Sequence, residues 1–288
     1  MPTLRDIKRR ITSIKSTQQI TKAMKMVAAS KLRRAQERIF EARPYAIKMS
    51  SVIRSLALRT KGEEHPLLGR RTGSNKVEVI ILTSDRGLCG ALNANILRRA
   101  SEFIRSKKKE NFDLFVSTIG RKGRDFFRKR NINIRKIWVG LSGKVIYSNA
   151  QEIAGDLVKN YTEGVFDELY IVYNEFKSAM QQRVVVEKLL PIEPEKAEEE
   201  AQQGDYIYEP SADAILDTFL PKHIEVQVFR ALLESEASEQ GARMTAMDNA
   251  TRNAKDLIER LTLQYNKARQ ASITKELMEV VGGAEALK

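Results

Sequence analysis

The residues best placed to do chemistry lie together in Ser84-Asp85-Arg86-Gly87-Leu88-Cys89-Gly90-Ala91-Leu92-Asn93. The stretch follows a β-branched run, Val77 to Thr83, and leads into a helical pattern from Ala91 to about Lys109. A glycine turn between a strand and a helix N-terminus can offer backbone N–H groups to a phosphate. The spacing here is wrong for that use. Only Gly87 and Gly90 are glycine, so G-x-G-x-x-G is absent, and no Gly-Lys-Ser/Thr follows. Gly143-Lys144 fails as a P-loop as well, with Trp138 where glycine is required and Val145 where a hydroxyl is required.

Cys89 could act as a nucleophile at a helix N-terminus, where the dipole favours thiolate. It has no histidine nearby in sequence to serve as base, since only His65 and His223 are present, and a small buried residue is the better reading. Asp85 and Arg86 could form an acid and its partner, but a turn cap with a local ion pair is the simpler expectation. One cysteine excludes an internal disulfide and a cysteine zinc site, and fits a reducing compartment; two histidines exclude a histidine metal cluster. With no Ser/His/Asp set or carboxylate pair either, the chain is expected to catalyse nothing by itself and to carry no cofactor and no metal.

The elements around this loop alternate. Strand-like Val77–Thr83, Phe112–Ser117, Asn131–Trp138, Glu168–Tyr173 and Arg183–Leu190 are interleaved with helical Ala91–Lys109, Gly120–Arg130 and Lys144–Tyr161. That order predicts an α/β domain over residues 76–191, a mainly parallel, Rossmann-like sheet covered by helices. Gly62 to Asn75 reads as a linker, and residues 192–210 as an acidic loop and linker whose core is Glu193 to Asp205. Tyr206-Ile207-Tyr208 is a possible edge strand, and Ser211 a cap, with Asp213 in the first turn of a final helix.

The two ends follow a different rule. Between Lys222 and Val281 there is no proline and one glycine, Gly241, so a single helix there would be about 90 Å long. Leu233, Ala237, Gln240, Met244, Met247, Thr251, Ala254, Ile258, Leu261, Tyr265 and Ala268 step along it by four and three. Residues 3–43 lack glycine and proline, and Leu4, Ile7, Ile11, Ile14, Gln18, Thr21, Lys25, Ala28, Leu32, Ala35 and Ile39 step likewise. The fold class expected is therefore α/β plus coiled coil: segments 1–61 and 211–288 paired antiparallel, with the α/β domain between them. The alternative from periodicity alone is a thicker helical bundle. Ile20, Met24, Met26 and Val27 lie off the first seam, so the pair needs further cover. Pro44 is expected to break or kink the first helix.

A net charge of +13 points to an acidic partner. Its clusters, Lys8-Arg9-Arg10, Lys31 to Arg38, Lys107-Lys108-Lys109 and Arg121 to Arg130, also suit ordinary solvated helix faces. A basic coiled-coil scaffold for nucleic acid or an acidic protein is thus one reading. No apolar run is long enough to span a bilayer, and no signal-peptide h-region follows Met1.

Three stretches carry a resemblance: Gln19-Ile20-Thr21-Lys22-Ala23-Met24-Lys25-Met26-Val27-Ala28-Ala29-Ser30-Lys31-Leu32, Thr83 to Asn93, and Arg243-Met244-Thr245-Ala246-Met247-Asp248-Asn249-Ala250-Thr251 with Tyr265 to Leu277. In this order they resemble the gamma subunit of F-type ATP synthase over nearly the whole chain. The resemblance implies a rotor shaft, one copy per complex, inside a ring of three alpha and three beta subunits. It also implies a foot contacting the epsilon subunit and the membrane c-ring, on the cytoplasmic side of a bacterial plasma membrane. By that likeness Met24, Lys25 and Arg243 face the ring, Arg269 and Gln270 meet a beta-subunit catch loop, and Thr274 belongs to the same contact surface. The inserted cysteine pair of some photosynthetic members is absent, which leaves Cys89 no dithiol partner.

Overall fold

The computed structural model describes residues 3–59, 65–69, 75–192 and 212–285. The acidic stretch Glu193–Asp205, the strand expected at 206–208, the Ser211 cap and most of the 62–75 linker lie outside them. The elements are α1 (Leu4–Arg59), β1 (Lys76–Leu82), α2 (Leu92–Lys109), β2 (Asp113–Ile119), α3 (Arg121–Arg128), β3 (Ile134–Trp138), α4 (Tyr147–Thr162), β4 (Glu168–Phe176), β5 (Gln182–Leu190) and α5 (Ala212–Glu285). They form two units: residues 29–242, and residues 1–28 with 243–288.

In the first unit the strands pair in the order β3-β2-β1-β4-β5. Contacts among β1, β2, β3 and β4 are parallel, and β5 closes one edge antiparallel to β4. Alternation in β1 sets up the layers. Val77, Val79 and Ile81 turn to one face, where Ile96, Leu97 and Phe127 of α2 and α3 cover them. Ile80 and Leu82 turn to the other, against Ile153 and Leu157 of α4 and Leu220 and Ile224 of α5. Side chains such as Ile80, Ile81 and Leu82 are at most 1% exposed, each contributing about 1.5–3 kcal/mol by burial.

Glu78 breaks the apolar run of β1 and is fully buried. Arg135 Nε donates to it at 3.0 Å and Arg135 Nη2 donates to Asp156 at 2.9 Å. Burial pushes the Glu78 carboxyl above its ordinary range, and the adjacent guanidinium opposes that rise. Such a bridge fixes β3 and α4 against β1 in one arrangement more than it adds stability.

The break expected at Pro44 does not end the helix: α1 runs through it to Arg59. A proline inside a helix costs about 3 kcal/mol. Beyond it Met49 and Ile53 are buried against the core, and two such burials at about 1.5–3 kcal/mol each offset that cost. Pro221 is carried inside α5 in the same way, with Leu220 and Ile224 buried on either side.

Gly241 has a specific reason to be glycine. A Cβ there would stand 3.2 Å from both Cα and the carbonyl oxygen of Ala179, in the turn between β4 and β5.

In the second unit the seams expected from spacing are the less exposed positions. Ile7, Thr21 and Ala28 are buried opposite a helix that buries Met247, Ala254 and Leu261. The Thr21 and Thr251 hydroxyls meet at 2.8 Å, and Lys25 Nζ donates to Asp248 Oδ1 at 2.5 Å. Partner numbers fall on α5 as they rise on α1, so the pair is antiparallel. Arg252 lies 2.6 Å from the other Asp248 oxygen. The hydrogen bond from Lys25 is the main reason the Asp248 carboxyl is held below the ordinary aspartate range.

Two tests follow from these packings. Gly241→Val should lower the unfolding free energy by about 1–3 kcal/mol in denaturant titrations. Gly155→Ala, where a Cβ meets nothing within 4 Å, should raise it by up to about 1 kcal/mol; equal effects from the two would refute the close-approach argument. Because the folded-state Asp248 pKa is depressed, its stabilisation is present above the ordinary value of 3.8 and is lost as pH falls through the lower folded value. Helical circular dichroism followed from about pH 6 to about pH 2 should show a weaker acid loss in Asp248→Asn and Lys25→Gln than in the parent. An unchanged acid slope in both would mean the pair contributes nothing there.

Candidate functional site

Two regions were candidates: the loop after β1, and the surface of the paired terminal helices. In open α/β sheets ligands bind outside the carboxyl ends of the strands, where the order reverses. Here that place lies at the ends of β1 and β4, and α5 fills it. Leu232, Ser235, Glu236 and Glu239 of α5 stand against Thr83, Ser84, Ser142 and Asn174, and leave a cavity of about 30 Å³. That is room for about one water. Ser142 Oγ donates to Glu239 at 3.1 Å, Ser238 Oγ donates to the Asn174 carbonyl at 3.0 Å, and Arg38 lies 3.6 Å from Glu236. Arg38 also donates to the Val145 carbonyl. Burial pushes the Glu236 carboxyl upward, opposed by Arg38. A phosphate would meet packed side chains and two carboxylates.

The loop residues are spent on architecture. Asp85 accepts from the backbone N–H groups of Arg121 at 3.0 Å, Gly140 at 2.9 Å and Ser142 at 3.4 Å, tying together the loops after β1, β2 and β3. It is a clamp on backbone donors, more extensive than the turn cap that the sequence suggested. Cys89 is 1% exposed and its sulfur accepts from Asn93 Nδ2 at 3.2 Å. Asn93 Nδ2 also donates to Ser84 Oγ at 2.7 Å, and its Oδ1 accepts the Ser84 N–H at 3.1 Å. This is a packed turn with a buried thiol. Among the described residues no group of three or more His, Cys, Asp or Glu is arranged to hold a metal ion.

The helix pair offers the other surface. From Arg252 onward, Ala254, Ile258, Leu261, Tyr265 and Ala268 are buried or half-buried and the residues between them are exposed. Large apolar side chains lie outside the seam: Ile20, Met26 and Val27 on α1, and Leu263, Ile273, Leu277, Met278, Val280 and Val281 on α5, all at least 53% exposed. Met24, expected with the first group, is half-buried. The pairing register brings Leu4 opposite about residue 268, so α5 from Arg269 to Glu285 has no facing turn of α1 among the described residues. A lone helix of that length is marginal in water.

The six residues singled out from sequence fall in two places. Lys25 is half-buried in the ion pair with Asp248, and Met24 and Arg243 are half-buried within the paired region. Arg269, Gln270 and Thr274 are exposed on the single-helix end, with the Thr274 hydroxyl donating to the Gln270 carbonyl at 2.9 Å. Sequence reasoning missed Arg38, Ser142, Glu236 and Glu239. The usable signal was two glutamates beside seam positions Ala237 and Gln240, where acidic residues need inward-facing partners.

Comparison with known proteins agrees with this layout. A family model described as ATP synthase matches residues 3–287. The ATP synthase gamma chains of Pelotomaculum thermopropionicum and Geobacter metallireducens are each 52% identical over 288 residues, covering the whole of both chains. Among solved structures, the central stalk and c-ring of Tetrahymena thermophila mitochondrial ATP synthase contains a chain 27% identical at a TM-score of 0.60, spanning 80% of this chain and 99% of that one. A chain of the Euglena gracilis mitochondrial enzyme matches at a TM-score of 0.68 and 23% identity over 99% of this chain and 94% of its own, which bears on the fold alone. A β1 loop spent on packing, a filled crevice and a thin helix pair with an uncovered surface thus coincide with full-length similarity, and the chain belongs to the ATP synthase family, among its gamma chains.

Proposed function

We propose that this gamma chain is the rotor shaft of its complex and performs no chemistry itself. It couples ion-driven rotation of a membrane c-ring to conformational cycling of a hexamer of three alpha and three beta subunits. One observation carries the reading: the helix pair has a narrow inner seam, while apolar residues such as Met26, Leu263 and Val280 remain 68–72% exposed on its outside. A surface of that kind calls for an enclosing partner. An asymmetric rod within a pseudo-threefold ring touches each catalytic site differently, so turning it redistributes their states without a reactive group on the rod.

The functional division follows the segments read from sequence. Residues 1–61 and 211–288 form the shaft, 76–191 the foot that meets the epsilon subunit and the c-ring, and 192–210 a connection without an assigned role. Met24, Lys25 and Arg243 face the hexamer, and Arg269, Gln270 and Thr274 meet the catalytic subunits at the far end. Exposed ion pairs are worth about 0–1 kcal/mol each, so such charges can exchange partners within a turn. No described helix is long and apolar enough to cross a membrane. Our reading is of a peripheral component on the cytoplasmic side of a bacterial plasma membrane, which the bacterial origin of its relatives supports.

Assembly with an alpha-beta hexamer and membrane sector tests the site assignment. Arg269→Ala and Gln270→Ala should each lower ion-driven ATP synthesis roughly tenfold, equivalent to about 1.4 kcal/mol of lost contact. Lys255→Ala, which breaks only an exposed ion pair to Glu259, should leave it near the parental rate. Parental coupling in both of the first two variants would remove these residues from the contact.

A further inference from the structure

Much of the positive charge of this chain is gathered on one helical layer. Residues 91–130 carry twelve Lys or Arg against four Asp or Glu, a net +8 of the chain's +13. The two helices of that stretch, α2 and α3, cover the same face of the sheet and touch each other, with Ile96, Leu97, Ala100 and Phe127 turned inward. Helical spacing sends the charges the other way. Arg105, Lys108 and Lys109 of α2, and Arg121, Arg128 and the capping Lys129 of α3, are all exposed. On the opposite side of the sheet α4 carries one lysine and two carboxylates.

Little on this layer neutralises those cations. Glu102 lies 3.7 Å from Arg99, Glu110 lies 3.1 Å from Lys107 and Asp125 lies 2.8 Å from Arg124, so its carboxylates are already paired elsewhere. Among the described residues no ion pair reaches any of the six exposed cations just named. The layer also offers almost no apolar area. No large apolar side chain of α2 or α3 is exposed, and the half-buried Phe126 lies under the Arg130 guanidinium, 3.6 Å from the ring centre. A protein partner would ordinarily need an apolar centre to the contact. A layer that is charged throughout suits a broad anionic surface instead, where the counter-charge is spread and no pocket is required.

We propose that the α2–α3 layer docks on the anionic headgroups of a lipid bilayer. The inference rests on the placement of the foot at the membrane made above, and adds that the foot touches lipid phosphate there as well as protein. Its test uses neither hexamer nor c-ring. Vesicle binding and rotary coupling are thus measured separately, and either can fail without the other.

The full-length chain is sedimented with phosphatidylcholine vesicles containing about one third phosphatidylglycerol, at about 0.1 M salt, where charges are felt over about 10 Å. It should pellet with these vesicles and stay in solution with pure phosphatidylcholine. A cation at such a surface is worth about fivefold in partitioning, so Arg105→Gln, Lys108→Gln and Arg128→Gln together should lower it about 100-fold. Lys8→Gln, Arg10→Gln and Lys15→Gln together remove the same charge from exposed positions of α1, and should lower it less than about threefold. Three results would each overturn the proposal: no binding to the anionic vesicles, equal losses in the two triple variants, or complete displacement by duplex DNA at equal phosphate concentration. Equal losses would leave only the overall charge of the chain as the cause, and displacement would give the layer to nucleic acid.

Discussion

The constraint on which the rest of the molecule depends is the thinness of the seam between its terminal helices. Ala28, Ala254, Thr21 and Thr251 bring two backbones close together, but small residues bury little area. A pair of helices joined this way hides one stripe of each and leaves the remainder to solvent or to another protein. The exposed Ile20, Met26 and Val27 are the direct result of that choice. A seam of isoleucine and leucine would have made a more stable and more self-sufficient rod. A rod that must turn against a surrounding sleeve is better served by small and flexible side chains on its outer surface than by a dense network of fixed hydrogen bonds.

The α/β unit solves a complementary problem. Its sheet order and parallel core are those of a ligand-binding architecture, yet the ligand crevice is occupied by α5. The same helix that supplies Leu232 and Glu236 to that crevice continues into the terminal pair. Gly241 permits its close approach to the β4–β5 turn, Arg38 meets Glu236 from α1, and Ser142 meets Glu239 from the loop after β3. Substituting a helix for a ligand converts a binding site into an anchorage for both long helices. Fold alone would have suggested a nucleotide in this crevice, and the side chains of α5 take up the room it would need there.

Much of this was legible in the sequence because periodicity is a property of local chemistry. Seam positions from Leu4 to Ile39 and from Leu233 to Ala268 are all buried or half-buried, as their spacing required. The strand–helix alternation likewise placed every element of the sheet, with shifts of a few residues at ends such as Phe176, where β4 runs three residues past its expected stop at Tyr173. Of the break or kink expected at Pro44, the break does not occur, because propensity is a local cost and burial of Met49 and Ile53 is a tertiary gain. The Glu78–Arg135–Asp156 bridge and the Glu236–Arg38 pair were invisible, since each joins residues far apart in sequence. The roles proposed for Arg269 and Gln270 rest on resemblance and not on pattern: two exposed polar residues carry no local signature of what they touch.

The most direct measurement of the central claim is backbone hydrogen exchange over residues 269–285, in the free chain and in the chain assembled with its alpha-beta hexamer. A helix that lacks a facing partner should exchange rapidly on its own. Enclosure by the hexamer should slow it by several orders of magnitude while leaving the β1–β2 core unchanged. The same exchange rates in both states would show that this end of α5 is not held within the ring, and would contradict the account.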